Sequence, residues 1–164
     1  MKFYSLYIFL LLFQFSIGQE SIEEVLQKYN KESIPYIYAS ELNNNKHNTI
    51  LLDAREYKEY EVSHLKDAIF VGHKTFQLSS IKDKLKQKDQ KIVVYCSLGV
   101  RSEDIAETLK KEGYTNVFNL YGGIFEWKNK GYNIYTSNNT ITENVHVFSE
   151  AWSRWLTKGK KVYE

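Results

Sequence analysis

Ile92-Val93-Val94-Tyr95-Cys96-Ser97-Leu98-Gly99-Val100-Arg101-Ser102 is the stretch on which the reading of this 164-residue chain turns. It opens as an apolar run, which reads as a buried strand. Cys96, the only cysteine in the chain, follows that run. Glu103 to Lys111 then carries a helical pattern. A strand, a short loop and a helix N-terminus turn backbone N–H groups into one small space, and the helix dipole adds partial positive charge there. That field favours the thiolate of a cysteine placed within it. The reading is a thiolate nucleophile, Cys96, in a cradle for an oxyanion or a sulfur anion. Ser97, Leu98, Gly99, Val100 and Ser102 form the binding loop, and Arg101 is a fixed cation at its rim. A lone cysteine at a strand end is most often a small buried hydrophobe. Three features argue against that here: the C-terminal end of a strand in an α/β pattern, the backbone freedom of Gly99, and Arg101.

Outward from this stretch, strands and helices alternate. Ser21 and Glu24 fit a capping box at the start of a helix over 20–31, with Ile22, Val25 and Leu26 on its apolar face. Pro35 to Tyr38 reads as a short strand, with a helical turn at Glu41-Leu42. Thr49 to Asp53 is a buried strand ending in an ion-paired corner, Asp53-Ala54-Arg55. Glu56 to Glu61 reads as a short polar helix, Ala68 to Val71 as another buried strand, and Leu78 to Lys88 as a basic exposed helix. Gly113 ends the helix after the cysteine. Asn116 to Leu120 is a further strand, and Gly122-Gly123 opens a helix through Trp127. About five short strands alternating with helices predict an α/β fold, a mainly parallel sheet with helices on both faces. Beyond residue 135 comes a polar stretch and then an amphipathic segment with Trp152 and Trp155, read as a C-terminal helical extension packing on or beside the domain. A partner-binding face on those two tryptophans is the alternative.

Composition narrows the class. The 22 basic and 20 acidic residues nearly balance, which gives no argument for nucleic-acid binding. A single cysteine excludes an internal disulfide and a multi-cysteine metal cage. The four histidines (His47, His64, His73, His146) are scattered, so no metal site is expected. Residues 1–18 form a unit of their own: Lys2, an apolar run from Phe3 to Phe15, then Ser16-Ile17-Gly18 before Gln19. This is the pattern of a secretory signal peptide, too short for a comfortable membrane span. The expected organisation is a leader over 1–18, a domain over 19–135 and an extension over 136–164. The expected location is exported, periplasmic or secreted, with no stable membrane span after cleavage. An unpaired thiol in an oxidising compartment is unusual and marks a reactive cysteine.

Four blocks, in order, give the chain a familial likeness: Leu51-Leu52-Asp53-Ala54-Arg55-Glu56 with Glu59-Tyr60; Ser63-His64-Leu65 with Ala68; Tyr95 to Ser102; and Asn119 to Trp127. Over roughly residues 33 to 135 the chain resembles a single-domain rhodanese, a sulfurtransferase module. The resemblance implies that Cys96 attacks the outer sulfur of a donor such as thiosulfate and becomes a persulfide, which an acceptor thiol or cyanide then discharges. It implies no metal and no organic cofactor. It implies that Arg101 holds the anionic donor, that Asp53, Arg55 and His64 support the site, and that Gly122 and Gly123 sit beside the loop and shape the pocket mouth. Two departures stand out: Ser63 precedes His64 where a glycine is usual, and Lys66-Asp67 replaces a common Pro-Gly. Cys96 to Arg101 is a Cys-x4-Arg loop, one residue shorter than the Cys-x5-Arg loop of the related cysteine phosphatases, and six residues is the sulfurtransferase size. The competing readings are a non-catalytic rhodanese module acting in partner binding, and a persulfide used for thiol redox or sulfide handling.

Overall fold

The computed structural model describes residues 20–163, so the leader expected over 1–18 lies outside the described residues. Five parallel strands form one sheet in the order β1-β5-β4-β2-β3: β1 (Tyr36–Ile37), β2 (Thr49–Asp53), β3 (Ile69–Phe70), β4 (Lys91–Tyr95) and β5 (Val117–Leu120). The expected parallel α/β architecture is the one observed. Register pairs Asp53 of β2 with Tyr95 of β4, and Val94 of β4 with Asn119 of β5.

Side chains on β4 alternate between two apolar layers. Val93 and Tyr95 join the layer containing Val25, Leu65, Phe125 and Trp127. Ile92, Val94 and Cys96 join the layer containing Ile105, Ala106 and Leu109. The sheet is therefore covered on both faces, which is why its strands read as nearly unbroken apolar runs. The helices are α1 (Ile22–Tyr29), α2 (Ala39–Asn44), α3 (Tyr57–Val62), α4 (Arg101–Lys111) and α5 (Gly123–Asn129). The Ser21–Glu24 capping box on α1 is present as expected.

The strand order locates the site. From β2 the chain moves outward to β3, and from β4 it moves to β5 on the other side. The loops leaving β2 and β4 diverge, and the crevice between them is where open α/β sheets bind ligands.

Two local expectations are revised. The basic helix expected over 78–88 is a pair of 3-10 turns, Leu78–Ser80 and Lys82–Lys84. Ile81 and Leu85 are both buried, and bonds three residues apart (Ile81 N to Leu78 O at 3.1 Å, Leu85 N to Lys82 O at 3.1 Å) turn them inward. The Ser80 hydroxyl also bonds back to the Gln77 carbonyl at 2.7 Å, competing with helical pairing. The extension after residue 135 holds more strand than helix. A hairpin of β6 (Ile134–Tyr135) and β7 (Ile141–Thr142) is followed by β8 (Asn144–His146), one helical turn α6 (Glu150–Ser153), and β9 (Lys160–Val162) parallel to β8. Val145, Val147, Trp155 and Leu156 are buried in the same apolar layer as Trp127. The Trp155 indole N–H donates to the Glu20 carbonyl at 2.8 Å. The extension is thus built into the domain rather than resting beside it. Among the described residues, no helix is long and apolar enough to cross a membrane.

Candidate active site

Cys96 follows directly after β4 and is 2 % exposed. The chain then bends through residues 97–100 and enters α4 at Arg101. The loop closes on the sulfur: the Gly99 N–H donates to Cys96 Sγ at 3.1 Å. A hydrogen bond of this kind stabilises negative charge on sulfur, and the N-terminus of the 11-residue helix α4 lies directly behind it.

Side chains from other elements fix the loop shape. Asn119 of β5 donates from Nδ2 to the Gly99 carbonyl at 2.7 Å, and Asn30 donates to the same oxygen at 3.0 Å. Because Nδ2 serves a carbonyl, Asn119 Oδ1 must be the acceptor for Ser102 Oγ, 2.7 Å away. That bond uses the only proton of Ser102. Its oxygen, 3.5 Å from Cys96 Sγ, is left to accept from the S–H of the neutral thiol. Gly99 has φ +117°, a conformation that disfavours any side chain, and a Cβ there would also sit tightly, 3.2 Å from the Leu26 side chain and 3.4 Å from the Leu120 carbonyl.

Arg101 is held differently from the sequence expectation. Its two amino groups reach Glu59 of α3, Nη1 to Oε2 at 2.7 Å and Nη2 to Oε1 at 2.9 Å, and Nη2 also donates to Ser97 Oγ at 3.0 Å. Ser97 Oγ in turn donates to Glu59 Oε1 at 3.1 Å, and the Glu56 N–H donates to Oε2 at 2.9 Å. Burial alone would raise the Glu59 carboxyl, but the bonds and charge of Arg101, helped by Arg55, hold it below the usual carboxylate range. Burial alone would lower Arg101, yet the Glu59 bonds and the charges of Cys96 and Glu59 raise it, so the guanidinium stays protonated. The expected fixed cation at the rim is therefore present, but it arrives already neutralised by a carboxylate 1 % exposed.

A pocket of about 220 Å³ opens above the sulfur. Cys96, Ser97, Leu98, Val100 and Arg101 line it from the loop, and Phe148 and Trp152 line it from the extension. Gly99 and Ser102 do not line it; they grip the sulfur and the loop from behind. The other expected site residues also lie outside the pocket lining. Asp53 and Arg55 form a fully buried pair (Nη2 to Oδ2 at 2.7 Å), with Arg55 also donating to the Ser63 carbonyl at 2.6 Å, an ion-paired corner as the sequence suggested. His64 stacks on Tyr60 with ring centres 4.1 Å apart and bridges to Tyr135 through its backbone. Gly122 and Gly123 do not shape the pocket mouth. Gly123 lies beneath the loop, where a Cβ would overlap the Cys96 carbonyl oxygen and come within 2.6 Å of the Ser97 carbonyl oxygen. That closeness lets Ile124 N and Phe125 N donate to those two carbonyls at 2.9 and 3.2 Å. Gly122 faces Glu126 instead.

Sequence reasoning missed Glu59, Asn119, Phe148 and Trp152 as parts of the site. Glu56 and Glu59 form a capping box at the start of α3, and nothing local in the sequence announced the partner 42 residues away. Among the described residues, no group of His, Cys, Asp and Glu is arranged to hold a metal ion.

Comparison with known proteins agrees with this geometry. The family model for the rhodanese-like domain matches residues 37–130. A tRNA uridine(34) hydroxylase from Erwinia tasmaniensis is 41% identical over 81 residues, covering 48% of this chain and 23% of that protein. One from Photorhabdus laumondii is 37% identical over 100 residues, covering 58% and 28%. This chain thus spans only about a quarter of the length of those curated relatives. Among solved structures, a rhodanese-related protein from Thermoplasma volcanium is 28% identical, covers 61% of this chain and 96% of that one, and gives a TM-score of 0.50. A thiosulfate sulfurtransferase from Pseudomonas aeruginosa, 20% identical with a TM-score of 0.58, covers 82% of this chain and 25% of that one and shares the fold. With the matched segment spanning both the sheet and the Cys96 loop, the chain belongs to the rhodanese-like domain family.

Proposed function

We propose that the protein is a sulfurtransferase that carries a sulfane sulfur on Cys96. The observation that supports this is the Cys96 sulfur at the floor of a pocket, facing the Gly99 N–H at 3.1 Å at the start of α4. The thiolate attacks the outer sulfur of a donor such as thiosulfate. A new S–S bond forms to Cys96, the old S–S bond breaks, and sulfite leaves with its electron pair. The terminal sulfur then bears the negative charge, and the loop backbone is placed to stabilise it. An acceptor thiolate or cyanide attacks that terminal sulfur and releases Cys96 for another cycle. Neither half of the cycle needs an oxidant, a reductant or a metal.

The test is the intact mass of the full chain before and after a sulfane donor, with Cys96→Ser beside it. Gain of one sulfur atom on the wild type, absent in the variant and removed by cyanide, supports the reading. A folded, reduced protein that never gains sulfur overturns it. Export through the apolar leader is part of the proposal. N-terminal sequencing of the protein from cell fractions reads it, with a start near Gln19 as the expected result.

A second reading comes from the relatives, which are named tRNA uridine(34) hydroxylase. Under it, the Cys96 unit would serve RNA modification. The near balance of 22 basic and 20 acidic residues argues for the first reading. A salt-dependent gel shift with tRNA would favour the second.

A further inference from the structure

We propose that Phe148 and Trp152 make the Cys96 pocket selective for a sulfane sulfur carried on a small apolar organic group over the same sulfur carried on an inorganic dianion. This inference rests on the sulfurtransferase reading and names the donor class for it.

Three observations lead there. The first is charge. Among the described residues lining the pocket, Arg101 is the only cationic side chain, and Glu59 meets both of its amino groups. The ion pair sums to zero, and Ser97 is spent on the same pair. The backbone at Gly99 serves the sulfur itself, so among the described residues lining the pocket no unpaired side-chain cation faces three sulfonate oxygens.

The second is the wall. Leu98, Val100, Phe148 and Trp152 surround the sulfur with carbon. Phe148 covers Arg101, with the guanidinium carbon 5.2 Å from the ring centre. Trp152 packs on Trp155 and Tyr29, with ring centres 5.3 and 6.5 Å away. About 220 Å³ of space exceeds the roughly 150 Å³ of an engineered apolar cavity that takes up benzene.

The third is that the wall is built rather than incidental. Phe148 is 54% exposed yet held at φ +63°, a conformation uncommon for a bulky residue. Two short contacts keep it there: Ser149 N to Val147 O at 2.7 Å across the turn, and Phe148 N to His146 Nδ1 at 3.1 Å. Val147 and His146 are themselves buried, so the turn is anchored on the core.

The donor step balances without a further reagent. Cys96 thiolate attacks the terminal sulfur of R–SO2–S⁻, a new S–S bond forms to Cys96, the bond between that sulfur and the sulfonyl sulfur breaks, and the sulfinate R–SO2⁻ leaves with its electron pair. An organic hydropersulfide R–S–SH reacts likewise, with R–S⁻ leaving and the proton staying on the transferred sulfur.

The test uses the full chain and three probes: benzenethiosulfonate, methanethiosulfonate and thiosulfate. kcat/KM is measured for each with cyanide as acceptor. The ratio of benzene- to methanethiosulfonate is expected to fall about tenfold in Phe148→Ala and in Trp152→Ala, the scale of lost apolar contacts in a pocket. Phe148→Leu restores most of it. Comparing ratios between proteins cancels the intrinsic reactivity of the donors. A measurement that needs no variant accompanies it: benzenesulfinate is expected to protect Cys96 from iodoacetamide at lower concentration than sulfite does. Ratios that stay equal across the variants, or sulfite protecting as well as benzenesulfinate, overturn the selectivity while leaving the sulfurtransferase reading in place. Failure of all three donors to load Cys96 overturns both.

Discussion

Glu59 and Arg101 meet face to face at the mouth of the cysteine loop, two parallel bonds of 2.7 and 2.9 Å joining the helix after β2 to the helix after β4. The pair closes the crevice between diverging loops and sets the charge of the pocket. Removing its acid in Glu59→Ala leaves a largely buried guanidinium without a partner. The expected cost is about 3 kcal/mol of stability, the low end for a broken buried pair because Arg101 keeps some solvent contact. Urea denaturation at neutral pH measures it.

The same pair predicts a response to acid. The Glu59 carboxyl titrates below its ordinary range in the folded protein. A group depressed in this way contributes stability that is fully present above the unfolded carboxylate value and is lost as pH falls through the folded value. Stability of the wild type is expected to fall as pH drops below about 4.3, more steeply than that of Glu59→Gln. Denaturation midpoints at several acidic pH values give the comparison, and parallel curves would speak against the pair as the source.

Gly123→Ala isolates the support beneath the loop. The new methyl overlaps the Cys96 carbonyl oxygen at a backbone φ of +53°, so the loop or the start of α5 must shift. Overpacking of this kind costs about 1–3 kcal/mol. Sulfur loading on Cys96 is expected to fall more than stability does, because a small displacement of a nucleophile is costly to chemistry. Loading rate and thermal midpoint, measured on one preparation, separate the two.

The turn at Lys66-Asp67 offers a gain instead. Asp67 has φ +62°, a left-handed conformation that glycine adopts freely. Asp67→Gly is expected to raise stability by about 0.5 kcal/mol, aspartate being among the more tolerant residues there. The change in denaturation midpoint reads it, with no effect expected on the loading rate.

Truncation after residue 135 is expected to abolish cooperative folding. Val145, Val147, Trp155 and Leu156 are almost completely buried, and each contributes about 1.5–3 kcal/mol by burial. Together they rival the whole stability of an ordinary domain, about 5–15 kcal/mol. A circular dichroism melt of the truncated chain, with a sharp transition as the contrary result, decides it.

What was legible in the sequence follows from range. The strands were visible because a sheet covered on both faces makes continuous apolar runs, as in Ile92 to Tyr95. The Cys96 loop was visible because strand, cysteine, glycine and arginine are neighbours along the chain. Glu59 looked like one more acid on a polar helix, since an ion pair 42 residues long leaves no periodic trace. Asn119 looked like a strand residue, although its amide clamps Gly99. Trp152 was noticed for its size and placed on a surface; only the path through β8 and the turn at Phe148 brings it over Cys96. The helix expected over 78–88 failed for the opposite reason. Ile81 and Leu85 have helical spacing, but both must reach the core within a short crossing from β3 to β4, and tighter turns accomplish that.

The edge strand β1 pairs with β5, so the sheet stays open until residue 120 has been made, and the pocket wall waits for residues 148 and 152. On the ribosome, Cys96 is synthesised some fifty residues before the aromatic wall of its pocket. A nascent chain that has reached residue 120 therefore holds all five strands of the sheet but neither aromatic wall residue of the Cys96 pocket. On the proposed reading, the arrival of Phe148 and Trp152 turns Cys96 from a general sulfhydryl into a selective one.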